Sequence, residues 1–216
     1  SPKALAAGQK APGVLVIQEI FGVNKVMRDL CDGLAAQGYV ALCPDLFWRQ
    51  EPGIQITDQT EAEWQRAFQL FQGFDVDKGV DDLIASLAHL RKLSNCTDKA
   101  GTVGYCLGGK LAYLMATRST ADCNVSYYGV GIEGALGEAG KIAKPLLMHI
   151  AAEDKFVPKD AQAKIKDALS SNKSVAIHVY AGCDHAFARV GGAHWNAEAA
   201  RQANDRTAAF FKQKLA

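Results

Sequence analysis

Three short segments carry side chains whose types and order suit nucleophilic catalysis. In the first, Gly104-Tyr105-Cys106-Leu107-Gly108-Gly109, a thiol stands between the apolar run Thr102-Val103 and an amphipathic run over 107–117. A strand that turns sharply into a helix at such a residue is a nucleophile elbow, here with sulfur in place of the more usual hydroxyl. The turn holds the nucleophile in a strained backbone conformation, so its neighbours must lack a Cβ if strand and helix are to pass closely. The helix N-terminus is then aimed at the sulfur and favours thiolate, and the next backbone N–H is free to face a developing oxyanion. The second segment, Ala151-Ala152-Glu153-Asp154, follows the apolar run 145–150; the third, Gly182-Cys183-Asp184-His185, follows the run 175–180. A buried cysteine beside a glycine turn is the alternative reading of the first segment by itself. A nucleophile, an acid and a histidine in that chain order favour a catalytic triad.

Such a triad needs strands whose C-termini open on one edge of a sheet. Apolar runs at 14–18, 39–43, 101–105, 124–128, 146–150 and 175–180 predict those strands, and helical patterns lie between them. Asn24 is placed to cap a helix that Gly38 ends; Asp75 or Asp77 opens another, with Val80, Leu83, Ile84, Leu87 and Leu90 on one face. The elbow helix presents Leu111, Leu114 and Met115, a further helix runs from Pro158 or Lys159 to Ser170, and 196–214 form the last. Alternation of this kind predicts an α/β fold, a mostly parallel central sheet with helices on both faces. No repeat or Gly/Ser linker breaks the pattern, so a single domain over 1–216 is expected. The least regular stretch is 50–72, where Trp64, Phe68 and Phe71 recur at helix-like spacing and are candidates either for lining a substrate site or for ordinary packing.

Composition narrows the function classes. With 24 Lys and Arg against 23 Asp and Glu in 216 residues, no basic stripe points to nucleic acid, and no acidic tail points to a basic partner. Apolar stretches fall far short of the roughly 20 residues that cross a bilayer. No charged and apolar leader precedes the first strand, although Ser1 is an unusual first residue. The six cysteines are scattered singly, without the pairing of a disulfide framework or a zinc site, and the five outside the elbow read as small core hydrophobes. A catalytic thiol is best kept reduced, which favours a cytoplasmic location. His149 and His178 lie within predicted strands as packed side chains, while His89 and His194 have no second ligand at metal-site spacing, so neither a metal nor another cofactor is expected.

Four stretches together resemble the dienelactone hydrolase family: Gln18-Glu19-Ile20-Phe21-Gly22-Val23-Asn24, the Gly-Tyr-Cys-Leu-Gly-Gly elbow, Ala152-Glu153-Asp154-Lys155-Phe156-Val157-Pro158, and Asp184-His185-Ala186-Phe187-Ala188-Arg189. The resemblance runs over about 11–211. It implies an α/β-hydrolase fold and a Cys–His–Asp triad that opens carboxylic ester bonds, typically the lactone carboxymethylenebutenolide in chlorocatechol breakdown. By position it makes Cys106 the nucleophile, His185 the general base and acid, and Asp154 the group that orients the imidazole. Glu19 falls where the family places a glutamate that restrains the resting thiol, a role consistent with a carboxylate opposing a second negative charge. The N–H groups of Ile20 and Leu107 become the oxyanion-hole candidates.

Several positions depart from the family's pattern. Of two arginines that hold the lactone's carboxylate, Arg189 matches one; Trp64 stands at the other, with Arg66 two residues away. Ala186 replaces a hydroxyl residue often found after the histidine, and the chain starts late, with an N-terminal edge strand shortened or absent. The implied substrate is a small ester or lactone, and the assembly is a monomer or a homodimer. Two alternatives stay open: a promiscuous aryl esterase or phosphotriesterase on the same machinery, and a non-catalytic relative that binds a ligand or partner.

Overall fold

A computed structural model describes residues 1–2, 5–6 and 8–216. Six strands form its sheet: β1 (Ala11–Ile17), β2 (Val40–Leu42), β3 (Cys96–Tyr105), β4 (Asn124–Tyr127), β5 (Leu146–Ala151) and β6 (Val175–Tyr180). They lie in the order β2-β1-β3-β4-β5-β6, and every pairing is parallel. Parallel neighbours need crossover connections, supplied here by α1 (Lys25–Ala36), α2 (Glu61–Gln72), α3 (Val76–Lys92), α4 (Leu107–Arg118) and α5 (Lys159–Leu169), with α6 (Ala197–Lys214) following β6.

Side chains alternate across the sheet and feed two cores. Val14, Val16, Val103, Val125 and Leu147 meet α1 through Met27 and Leu34, and α6 through Ala203 and Phe211. Leu15, Ile17, Leu146, Met148 and Ile150 face the other way, toward Leu83 and Leu87 of α3, Leu111 and Leu114 of α4, and Ile165 of α5. Burial on both faces explains the nearly continuous apolar runs of these strands. Helix α4 lies so deep that 107–109 and 111–117 are all buried, which fixes its N-terminus against the strand ends.

The caps follow the sequence: Asn24 accepts from the Met27 N–H at 3.3 Å, Asp75 from Lys78 at 3.1 Å and Asn196 from Ala199 at 3.0 Å. Stretch 50–72 is more regular than its Pro and Gly suggest, because Thr60-Glu61-Ala62-Glu63 is a capping box. Thr60 Oγ1 accepts from the Glu63 N–H at 3.3 Å, the Glu63 carboxylate is bound by the Thr60 and Thr57 hydroxyls, and α2 starts there. A 3-10 segment, Ile132–Lys141, has no counterpart in the sequence reading. His149 is buried between Tyr180 and Thr207, but His178 is half-exposed because β6 is an edge strand, which corrects its placement in the core. Cys31 and Cys43 are also only half-buried, unlike Cys96, Cys123 and Cys183. Among the described residues, no helix is long and apolar enough to cross a membrane.

Candidate active site

Cys106 sits between β3 and α4 with φ 56° and ψ −115°, a conformation costly for any residue with a side chain. The flanking glycines make that turn possible. A Cβ on Gly104 would run into the Gly108 carbonyl, and one on Gly108 would meet the Ile17 carbonyl. The elbow is also hydrogen-bonded on both sides: the Cys106 N–H donates to Tyr127 O at 3.1 Å, and the Cys106 carbonyl accepts from Gly109 at 3.0 Å and Lys110 at 3.2 Å. The Leu107 N–H is the first of α4 and has no intrahelical acceptor. Among the described residues, neither it nor the Ile20 N–H is engaged elsewhere. Both are thus left as donors at the site.

His185 follows β6, and Asp154 follows β5. Asp154 Oδ2 lies 2.9 Å from His185 Nδ1, and its Oδ1 accepts from the Phe156 and Val157 N–H groups at 2.9 and 3.2 Å. With one oxygen tied to its own loop, the carboxylate has one orientation in which to hold the imidazole. The two loops are further joined through Asp184 Oδ1, which accepts from His185 N at 2.7 Å and Lys155 N at 3.2 Å. The rings of Phe156 and Tyr128 pack edge-on against the imidazole. Burial is the strongest single influence on His185 and pulls its pKa down, but the nearby Cys106 sulfur, the hydrogen bond with Asp154 and the Asp154 charge together push it up to about 10. The imidazole thus has the carboxylate on Nδ1 and shares the cleft with the Cys106 thiol.

Glu19 ends the strand-to-loop passage after β1 and is 2 % exposed. Gln18 fixes its backbone: Gln18 Nε2 donates to Glu19 O at 3.2 Å, and Gln18 Oε1 accepts from Leu46 N at 3.0 Å. Neither Glu19 carboxylate oxygen has a hydrogen-bond partner among the described residues. Oε2 is 3.4 Å from Nη1 of Arg189, and the same Nη1 is 3.5 Å from Oδ2 of Asp58. Segment 54–58 reaches this position because Gly22 bridges to Gln55 and the Ile56 N–H donates to Phe21 O at 3.1 Å.

A cleft of about 40 Å³ opens onto Cys106, His185, Glu19 and Arg189, and its other walls are Ile20, Phe21, Trp64, Phe68, Phe71, Val130 and Phe156. Trp64, Phe68 and Phe71 share one face of α2, with Trp64 stacked on Phe68 at 5.5 Å and edge-on to Phe21 at 5.1 Å. Arg66 does not join them. Two residues further round the helix, it points away from the cleft, keeps 40 % of its side chain exposed, and pairs with Glu51 and Gln69. The structure thus brings together Cys106, His185, Asp154, Glu19, Ile20, Leu107, Arg189, Trp64 and Phe68, and corrects the placement of Arg66. The sequence reading missed Phe156, Val130 and Asp58. Phe156 had a usable signal, lying two residues after Asp154 at a strand end; Asp58 had none. Among the described residues, no three His, Cys, Asp or Glu side chains cluster to hold a metal ion.

The similarity to known proteins extends along the chain. A family model described as "Dienelactone hydrolase family" matches residues 3–215. This chain belongs to the dienelactone hydrolase family. It is 58 % identical over 211 residues to a provisionally named carboxymethylenebutenolidase of Azospirillum brasilense, covering 97 % of this chain and 90 % of that one. It is 40 % identical over 201 residues to the carboxymethylenebutenolidase of Pseudomonas putida, covering 93 % and 85 %. The crystal structure of a provisionally named dienelactone hydrolase from Klebsiella pneumoniae superposes with a TM-score of 0.84 at 26 % identity, covering 98 % and 90 %. The dienelactone hydrolase family thus accounts for the α/β-hydrolase fold of the six-stranded sheet.

Proposed function

We propose that this hydrolase of esters or lactones is a cysteine enzyme working through an acyl-thioester. The observation that carries the reading is the grouping of three side chains: Cys106 at a positive-φ elbow, the His185 imidazole on the same cleft, and the buried Asp154 carboxylate 2.9 Å from Nδ1 of that imidazole. The Cys106 sulfur attacks the ester carbonyl, and the tetrahedral oxyanion is met by the N–H groups of Ile20 and Leu107. His185 protonates the leaving oxygen, then takes a proton from water, which attacks the thioester and releases the acid and the thiol. Asp154 holds the imidazole in the tautomer and orientation both steps need. Glu19 restrains the resting thiol, because a second anion beside its unsatisfied carboxylate is disfavoured.

The aromatic walls favour flat or apolar ester groups, and the reacting thiol calls for a reducing compartment such as the cytoplasm. Turnover of p-nitrophenyl esters and of dienelactone, with rapid acid quench and mass analysis of the Cys106 peptide, tests the reading. An acyl adduct on Cys106 that forms and decays at the turnover rate is expected. Cys106→Ala turning over near the normal rate would overturn it.

A further inference from the structure

We propose that Asp58 is a specificity-determining residue, an internal competitor that occupies the guanidinium of Arg189 against substrates bearing a carboxylate. The proposal rests on the ester- or lactone-hydrolase reading and concerns which substrates that site takes. Arg189 is 9 % exposed and lines the cleft beside Cys106, so it is the cation an anionic substrate group would seek. It already faces two carboxylates on a single nitrogen: Glu19 Oε2 at 3.4 Å and Asp58 Oδ2 at 3.5 Å from Nη1. Glu19 by itself balances the charge of Arg189. Asp58 makes the cluster net negative, in a cleft otherwise walled by aromatic and aliphatic side chains where charges are poorly screened.

Neither contact has the geometry of a hydrogen bond. Arg189 Nε and Nη1 and both Glu19 oxygens are without partners among the described residues. The guanidinium therefore keeps donor capacity that a well-placed carboxylate would use at shorter range. The obstacle to such a ligand is charge: it would be the third anion around one cation. Asp58 is the one free to give way. Its side chain is the more exposed of the pair, 9 % against 3 %, and it stands on a loop ahead of α2 rather than at a strand end. That loop is not independent of the cleft, because the Trp64 indole N–H donates to the Asp58 carbonyl at 3.0 Å. Seating an acidic substrate thus means displacing Asp58 beside the Trp64 wall. A neutral ester escapes this requirement.

The test compares dienelactone with its methyl ester, which differ by the one charge, in the unmodified protein and in Asp58→Asn. Removal of the competitor should lower KM for the acid on the order of tenfold, the scale of one charge-assisted hydrogen bond, without lowering KM for the methyl ester alongside it. A parallel change for both substrates, or a raised KM for the acid, would overturn the proposal. Asp58→Ser provides a second variant with the charge removed. A measurement independent of turnover uses Cys106→Ala and calorimetric titration with maleate: adding Asp58→Asn should tighten maleate on the order of tenfold, and equal affinity would overturn the proposal. Loss of the thioester at Cys106 would count against the mechanism above and leave the maleate comparison intact.

Discussion

His185 Nδ1 and Asp154 Oδ2 lie 2.9 Å apart with their side chains 5 % and 1 % exposed. The carboxylate has no water to turn toward, and its other oxygen is fixed by the Phe156 and Val157 N–H groups. Asp154→Asn would preserve the shape of this contact and lose its negative charge. The amide would present either an N–H or a neutral carbonyl to Nδ1, and the imidazole would no longer be held for the role of base proposed for it. The kcat for p-nitrophenyl acetate should fall by on the order of 10⁴, the scale for the corresponding change in a serine protease triad. A loss below tenfold would show that Asp154 does not orient His185.

The raised pKa of His185 makes a second expectation. An imidazole held near 10 stays protonated well above the ordinary value of 6.5, with the Cys106 sulfur as the largest raising influence. Cys106→Ser should therefore bring the His185 titration, read from its imidazole resonances, toward lower pH. The contribution to stability has a definite sign. A group whose pKa is higher in the folded than in the unfolded chain stabilises fully below the unfolded value and loses that contribution as pH rises through the folded value. The contribution of His185, read as the excess stability of the unmodified protein over His185→Gln, should be largest below about pH 6.5 and fade toward about pH 10. Denaturant midpoints across that range are the measurement, and a difference that grows with pH would reverse the assignment.

Alkylation distinguishes the thiols. Cys31 is half-buried, and its thiol is pulled below the ordinary value chiefly by a hydrogen bond with Cys43, so it competes with Cys106 for iodoacetamide. In a Cys31→Ser background, one modified site and parallel loss of activity are expected, both at Cys106. Adding Glu19→Gln should speed that alkylation at neutral pH, since it removes a carboxylate that opposes the thiolate and frees Arg189 of one counter-ion. An unchanged rate would make Glu19 a structural residue.

Why some of this was legible in the chain and some was not has a physical basis. The elbow could be read because it is local: Cys106, Gly104 and Gly108 must stand at fixed spacing for strand and helix to cross. Asn24 was legible as a cap for the same reason, and Asp75 as one of two candidates. Strand limits were less so. β3 begins at Cys96 rather than 101, because pairing of Ala11 with Cys96 extends it through the polar residues Thr97 to Lys99. The Arg189 cluster was hidden because it depends on three distant stretches. Glu19 comes from the end of β1, Asp58 from the loop before α2, and Arg189 from the loop after β6. Read from sequence, Arg189 is a substrate anchor; in the fold it also neutralises the buried Glu19 carboxylate and the half-buried Asp58.

That second duty alters what its removal does. Arg189→Ala would leave Glu19 and Asp58 without their shared cation, and stripping one partner from a buried ion cluster costs about 3–5 kcal/mol. The variant should unfold at lower denaturant as well as lose acidic substrates. The double change Arg189→Ala with Asp58→Asn should recover part of the stability, because only Glu19 is then uncompensated. Chemical denaturation of the three proteins tests this, and equal midpoints would mean that water already screens the cluster.

Trp64 and Arg66 complete the comparison, since they are neighbours in sequence and belong to different surfaces of α2. Trp64 faces the cleft, with Phe21 and Phe68 against its ring and its N–H held by Asp58 O. Trp64→Ala should open that wall and raise KM for phenyl and p-nitrophenyl esters more than for short alkyl esters, because an aryl group loses a stacking partner worth on the order of 0.5–1.5 kcal/mol. Arg66 is paired with Glu51 on the outside, and an exposed pair contributes on the order of 0–1 kcal/mol to stability. Arg66→Ala should leave both the acid-to-neutral preference and the aryl preference where they are. Trp64→Arg is the more demanding case: a second cation near Arg189 would offset the negative cluster and move preference toward carboxylate-bearing lactones. Should Arg66→Ala, rather than Trp64→Arg, change the ratio of kcat/KM for dienelactone to that for its methyl ester, then α2 must rotate in solution to bring Arg66 inward, and the cleft would have a different wall from the one assigned to it.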